Sequence, residues 1–154
     1  MNEMSAKTKV SFGLYLLLLI VGAAFYAIYA TASGPMPYHV QAMETQGIPW
    51  DSLQPAVQWW LLNAIHLLGY SGLVLYLSLA VLLFIPFRQG QRWSRWAIPG
   101  IFLAEAFYSS VVAFRVAAKT GASTPRGLAI VLLVILIAAF LLSGDVGKRR
   151  QYLS

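Results

Sequence analysis

The chain has 154 residues, of which 59% are hydrophobic and only 10% are charged, with a mean hydropathy of +0.69 and a net charge of +6. Because soluble domains carry roughly a quarter charged residues, this composition excludes an ordinary soluble domain, and the length predicts a single domain. The chain has no cysteine, which excludes disulfides, thiolate catalysis and thiolate metal sites.

Four apolar segments follow one another along the chain, at residues 10–31, 56–87, 96–118 and 127–143. A helix needs roughly 20 apolar residues to cross a bilayer, and each segment is close to that length or longer. Backbone amides in lipid must be paired within their own segment, so helices are expected and strands are not. The sequence predicts an all-α integral membrane protein, a four-transmembrane-helix bundle that forms one membrane domain over residues 1–154.

The first apolar segment has features of both a signal peptide and a membrane helix. It follows Lys7 and Lys9 and ends in Ala30-Thr31-Ala32, which matches a cleavage pattern. Its apolar part is longer than the roughly 7–15 residues of a signal peptide, so a retained helix is predicted.

The loop at residues 32–55 separates the first two segments and contains signals for a short helix. Proline at position 37 is typical of the first turn of a helix, and Gly47 is typical of the position just after a helix ends. Met36, Val40 and Met43 are spaced four and three apart, which gives one apolar side. A short helix at the membrane interface is predicted, with Asp51 or Ser52 capping the next helix.

The positive charges are concentrated at one side of the predicted membrane. That side carries Lys7, Lys9, Arg88, Arg92, Arg95, Lys148, Arg149 and Arg150, whereas the other carries Arg115, Lys119 and Arg126. The positive-inside rule then places both termini, including the basic tail at residues 144–154, in the cytoplasm. This distribution indicates membrane topology rather than binding to nucleic acid, although the basic turn and tail could also touch anionic headgroups.

The second and third segments carry polar side chains at membrane depth. On the second, one arc of about 80° contains Trp59, Asn63, His66, Tyr70, Leu73 and Leu77. On the third, one arc of about 120° contains Glu105, Tyr108, Ser109, Val112 and Arg115. Because polar groups that face lipid lack partners, a polar cluster between these two helices is predicted. Its members are Asn63, His66, Tyr70, Glu105, Tyr108 and Arg115.

Two interpretations of this cluster remain open. In the first, the polar side chains only join the helices and have no further function. In the second, the ionisable His66 and Glu105 belong to a functional site. Arg115 is also typical of a side chain that extends to the membrane surface. The first and fourth segments are predicted to be structural, and the fourth to face lipid widely and close the bundle.

No phosphate-binding glycine loop, nucleophilic-serine motif or HExxH motif occurs in the chain. Only His39 and His66 could ligate a haem, and a di-metal site would need several inward Glu and His side chains. The sequence therefore predicts no catalytic residue, no metal and no cofactor.

The segment PFRQGQRWSRW (residues 86–96) forms the basic turn between the second and third helices. This turn resembles those of small uncharacterised bacterial membrane proteins. The four-helix plan is similar to the inner-membrane proteins called DoxX-like. The resemblance implies a bacterial plasma membrane and assigns no functional residue.

Three hypotheses for function follow. The first is a non-enzymatic membrane protein that binds a protein partner or a further copy of itself, or a lipid or other hydrophobic small molecule. The second is a small transporter or proton-conducting subunit that uses His66 and Glu105. The third is a membrane oxidoreductase subunit that binds haem or quinone. The first is the prediction, with no nucleic-acid partner.

Overall fold

A computed structural model describes residues 4–121 and 126–146, which form helices and connecting turns without a strand. Five helices follow in chain order: α1 (Ala6–Ala30), α2 (Pro37–Glu44), α3 (Pro55–Leu82), α4 (Ser94–Thr120) and α5 (Arg126–Leu142). All of these except α2 belong to segments long and apolar enough to cross a membrane. The prediction of an all-helical chain with four such helices is confirmed.

The helix bounds agree with the apolar segments, with one exception at the start of α1. The Ser5 side chain accepts a hydrogen bond from the Thr8 amide at 3.2 Å, which caps the helix four residues before the predicted start. Lys7 and Lys9 consequently lie inside the helix. The predicted basic tail falls partly outside the described residues, which end at 146, and Lys148, Arg149 and Arg150 belong to that part.

The loop between α1 and α3 contains the predicted short helix, with proline at its first position. Gly47 follows it with a φ of 71°, a left-handed conformation that favours glycine. The predicted cap of α3 is wrong, because Asp51 and Ser52 belong to a 3₁₀ turn at Trp50–Ser52 and α3 begins after Gln54.

The end of α3 is widened by a proline. Leu83–Phe87 continue α3 as a π turn that contains Pro86. Proline inside an α-helix removes a backbone hydrogen bond and collides with the preceding turn, and a wider turn relieves both problems. The helical segment thus reaches Phe87, as predicted, although its last turn is not α-helical.

The central helix of the bundle is α1, which packs along α3 on one side and along α5 on the other. The Ser11 hydroxyl donates a 2.7 Å hydrogen bond to the Ala139 carbonyl, which joins α1 to α5 inside the core. Contacts between α4 and the other long helices are much sparser. We name the two ends of the bundle by their residues: the basic end carries Lys7, Lys9 and the turn at residues 88–93, and the loop end carries residues 31–54.

Glycine and tyrosine residues set the packing of α1 against α3. The Tyr76 ring of α3 lies on Gly22, and the Tyr26 ring of α1 lies on Gly72, so that a Cβ atom at either glycine would overlap the ring. At Gly69, a Cβ atom would overlap the backbone of α1 at Ala30. Small residues permit this close approach of two membrane helices.

An aromatic core fills the basic end. Tyr15 is completely buried, and its ring contacts Phe87 edge-on at 5.7 Å and stacks on Phe102 at 6.4 Å between centroids. Leu83 and Ile98 complete this layer. The core therefore joins α1, the π turn and the first half of α4.

Candidate functional site

The six residues of the predicted polar cluster do not bond to one another. Among the described residues, Asn63 donates to the Trp59 carbonyl of its own helix at 2.8 Å, and His66 pairs with the Ala32 carbonyl at 2.7 Å. The side chains of Tyr70 and Tyr108 are 58% and 67% exposed, and Arg115 is exposed as well.

Glu105 has its partners on α1 and on its own helix. Its Oε1 atom accepts a hydrogen bond from the Tyr26 hydroxyl at 2.6 Å and another from the Ser109 hydroxyl at 3.0 Å. A short bond to a carboxylate oxygen is among the stronger hydrogen bonds in proteins. Tyr26, Glu105 and Ser109 therefore form a polar contact between α1 and α4, which we call the Tyr26–Glu105 contact.

The arc of polar residues on α3 differs from the face on which the helix packs. Gly69, Gly72, Tyr76 and Leu79 are buried against other helices, whereas Leu77 of the polar arc is largely exposed. The close approach at the glycines fixes the rotation of α3. His66 lies at the edge of this packing face, where its ring bonds to the Ala32 carbonyl just after the end of α1.

His66 ties α3 to the beginning of the loop. Because the Ala32 carbonyl can only accept, the hydrogen-bonded geometry assigns the proton to Nε2 of His66. In this arrangement the Nε2 atom is not free to ligate a haem.

His39 of α2 lies among aromatic rings at the loop end. Its ring contacts Tyr29 edge-on at 5.9 Å and Tyr38 at 4.3 Å between centroids. The Nδ1 atom is buried and has no hydrogen-bond partner within the described residues. Burial lowers the pKa of His39 below its usual 6.5, because it disfavours the charged imidazolium. The ring is therefore neutral at neutral pH.

A second polar group, which the sequence analysis does not identify, lies at the basic end. The Arg95 Nε atom donates to the Ser143 hydroxyl at 3.3 Å, and its guanidinium lies 5.3 Å from the Trp96 ring and 5.2 Å from the Phe140 ring. The Tyr15 hydroxyl is buried close to Ser143 and Arg95 without a hydrogen bond of good geometry. Arg95 thus joins α4 to the end of α5 by cation–π and polar contacts.

The half of α4 nearer the loop end has a large exposed surface. Beyond Phe102, no residue of α4 is buried. Phe107 and Phe114 are 73% and 71% exposed. The Ser110 side chain is also exposed. We call the exposed residues at 103–115 of α4 the α4 face.

The comparisons with known proteins provide no further assignment for these sites. Within the described residues, no group of three or more histidine and acidic side chains is placed to hold a metal ion. Searches against protein-family models, curated proteins and solved structures find no match to this chain.

Proposed function

We propose that this protein is a non-enzymatic, multi-pass membrane protein that binds a membrane helix of a partner protein through the α4 face. The observation that carries the proposal is the uneven packing of α4. Its first half is buried through Ser94, Ile98, Pro99 and Phe102. Its second half has no buried residue and is attached by the Tyr26–Glu105 contact and, near its end, by a hydrogen bond from Gln46 to the Lys119 carbonyl at 3.2 Å.

The chemistry of the α4 face favours a protein partner over lipid. Tyr108 and Ser110 expose hydroxyl groups that form no hydrogen bond within the described residues. In a bilayer such groups are better satisfied by a neighbouring helix than by acyl chains. Phe107 and Phe114 add large aromatic side chains, which contribute strongly to protein interfaces.

The location is proposed to be a bacterial plasma membrane with both termini in the cytoplasm. The concentration of cations at the basic end supports this orientation. Exposed tryptophans near both ends, Trp59 and Trp60 at one and Trp93 and Trp96 at the other, match the aromatic belts of membrane-spanning proteins. The resemblance to DoxX-like proteins supports the same location, and α2 is proposed to lie at the outer interface.

The transport and oxidoreductase hypotheses receive less support from the geometry. His66 bonds to the Ala32 carbonyl and Glu105 bonds to Tyr26, so no hydrogen bond links the two ionisable groups into a path. The Glu105 contact joins two helices and the His66 contact joins α3 to the loop, which are structural roles.

Site-specific photocrosslinking in native membranes tests the proposal. A photoreactive amino acid at Phe107 or Phe114 should yield a discrete crosslinked band that contains a second protein. Ile130 and Val134 on α5 serve as controls, since both are exposed on another helix. Equal yields at all four positions, adducts with lipid alone, or a band that contains only a second copy of this chain would refute the proposed partner.

A further inference from the structure

Two exposed cations at the basic end have no role in the proposed function. Lys9 lies in the second turn of α1, and Arg88 follows the π turn of α3 directly. Both side chains are exposed, and within the described residues neither forms a hydrogen bond or an ion pair. No neighbour in the part of the chain that the structure describes therefore neutralises their charges.

The register of α1 and α3 places these two cations at the same height. The helices are antiparallel, and the Phe12 ring meets the Phe84 ring edge-on at 5.3 Å. Lys9 precedes Phe12 by three residues, and Arg88 follows Phe84 by four. Residues three or four apart share a helix face, so each cation lies one turn beyond the same ring contact. Lys9 and Arg88 consequently lie at the same height on neighbouring helices, and we call the surface between α1 and α3 at that height the α1–α3 groove.

The surroundings of this groove favour an anion with an apolar tail. Towards the bundle centre the surface is apolar, with Phe84 and Ile85 both exposed next to Phe12. The nearest described acidic group at this end is Asp145, which accepts a hydrogen bond from the Ser5 hydroxyl at 3.2 Å, one helical turn before Lys9. Two like charges side by side repel each other unless an anion lies between them.

Arg95, at the same end of the bundle, differs from Lys9 and Arg88 because its charged group has contacts within the protein. Its guanidinium is covered by Trp96 and Phe140 and bonded to Ser143, so its charge serves the packing of α4 against α5. Lys9 and Arg88 have no comparable contacts.

We propose that Lys9 and Arg88 together bind the phosphate of an anionic phospholipid, whose acyl chain lies along Phe12 and Phe84. Clusters of cations at a membrane surface attract anionic headgroups, and each contributes a measurable share of the affinity. The apolar surface below the cations distinguishes this site from one for a soluble phosphate.

Native mass spectrometry of the full chain in detergent, titrated with phosphatidylglycerol or phosphatidylcholine, tests the proposal. Lys9→Gln and Arg88→Gln should each weaken phosphatidylglycerol binding about five-fold, the effect of one cation near a headgroup, and leave phosphatidylcholine binding unchanged. Lys9→Arg should retain binding because it keeps the charge. Circular dichroism confirms that each variant is folded.

Lys7→Gln is the matched control. It removes the same charge from the same end of α1, but two residues away and therefore about 160° around the helix. An equal loss with Lys7→Gln would show diffuse attraction and overturn the site. Equal affinity for the two lipids, or displacement of phosphatidylglycerol by millimolar inorganic phosphate, would overturn it as well.

Discussion

Glu105 illustrates how a polar side chain at membrane depth depends on a partner from another helix. Its carboxylate receives hydrogen bonds from Tyr26 and Ser109, and the first of these crosses from α1 to α4. Hydrogen bonds between membrane helices contribute about 1 kcal/mol or less on average. Since no residue of α4 beyond Phe102 is buried, this bond is one of the few attachments of its second half, together with the Gln46 bond to the Lys119 carbonyl.

Replacing Tyr26 by phenylalanine tests this role, because it removes the hydroxyl and keeps the ring that lies on Gly72. We expect the free energy of unfolding to fall by about 1 kcal/mol. Steric trapping in detergent or bicelles measures this change.

Tyr70→Phe is the control for that measurement, because it removes a tyrosine hydroxyl that has no hydrogen bond within the described residues and is largely exposed. It should leave the free energy of unfolding unchanged. Equal effects of Tyr26→Phe and Tyr70→Phe would show that the bond to Glu105 does not stabilise the fold.

The pairing of α1 with α3 depends on two tyrosines that each occupy a space left by a glycine of the opposite helix. Each helix contributes a glycine followed four residues later by a tyrosine, Gly22 with Tyr26 and Gly72 with Tyr76. The two rings also contact each other, with centroids 5.5 Å apart. The helices can therefore approach closely only in this rotation and register.

A single methyl group should be enough to disturb this pairing. Gly72→Ala introduces a Cβ atom that overlaps the Tyr26 ring, and overpacking of this kind destabilises proteins by about 1–3 kcal/mol. Gly13→Ala is the matched control, since a Cβ atom there meets no neighbour and should be neutral or stabilising by up to about 1 kcal/mol. The free energies of unfolding of both variants test this expectation. It fails if Gly72→Ala and Gly13→Ala change the free energy of unfolding in the same direction.

The lengths of the helices could be predicted from the sequence, whereas the faces on which they pack could not. Apolar segments have to satisfy their backbone amides in lipid, and this requirement places each helix end to within about four residues. The rotation of α3 instead follows from close contacts at Gly69 and Gly72, which depend on the partner helix. A polar arc through Asn63 and Tyr70 therefore differs from the face on which α3 packs, although His66 and Leu73 of that arc are half-buried at its edge. The repeated glycine–tyrosine spacing is the signal that could have identified the packing face.

The helices of the whole molecule are unequally attached. The bundle is organised around α1, with α3 and α5 on either side and α4 at the periphery. The members of the candidate site come from two helices that are not neighbours in sequence: Tyr26 of α1 bonds to Glu105 of α4. Sequence neighbours such as α3 and α4 need not be the main packing partners.

Cysteine labelling in intact cells tests the proposed orientation of the whole molecule. Ile48→Cys at the loop end should react with a membrane-impermeant maleimide, because the position is exposed and lies on the proposed outer side. Gln89→Cys, in the exposed turn at the basic end, should react only after the cells are permeabilised. The reverse pattern would contradict the orientation.

The central position of α1 has a consequence for how the protein is made. Because α1 precedes both of its main partners in the chain, it enters the bilayer before either of them is synthesised. When α3 emerges from the insertion machinery, the surface formed by Gly22 and Tyr26 is already available, and α5 later completes the opposite side. Assembly can thus proceed in step with translation, because α3 and α5 each find their principal neighbour, α1, already inserted.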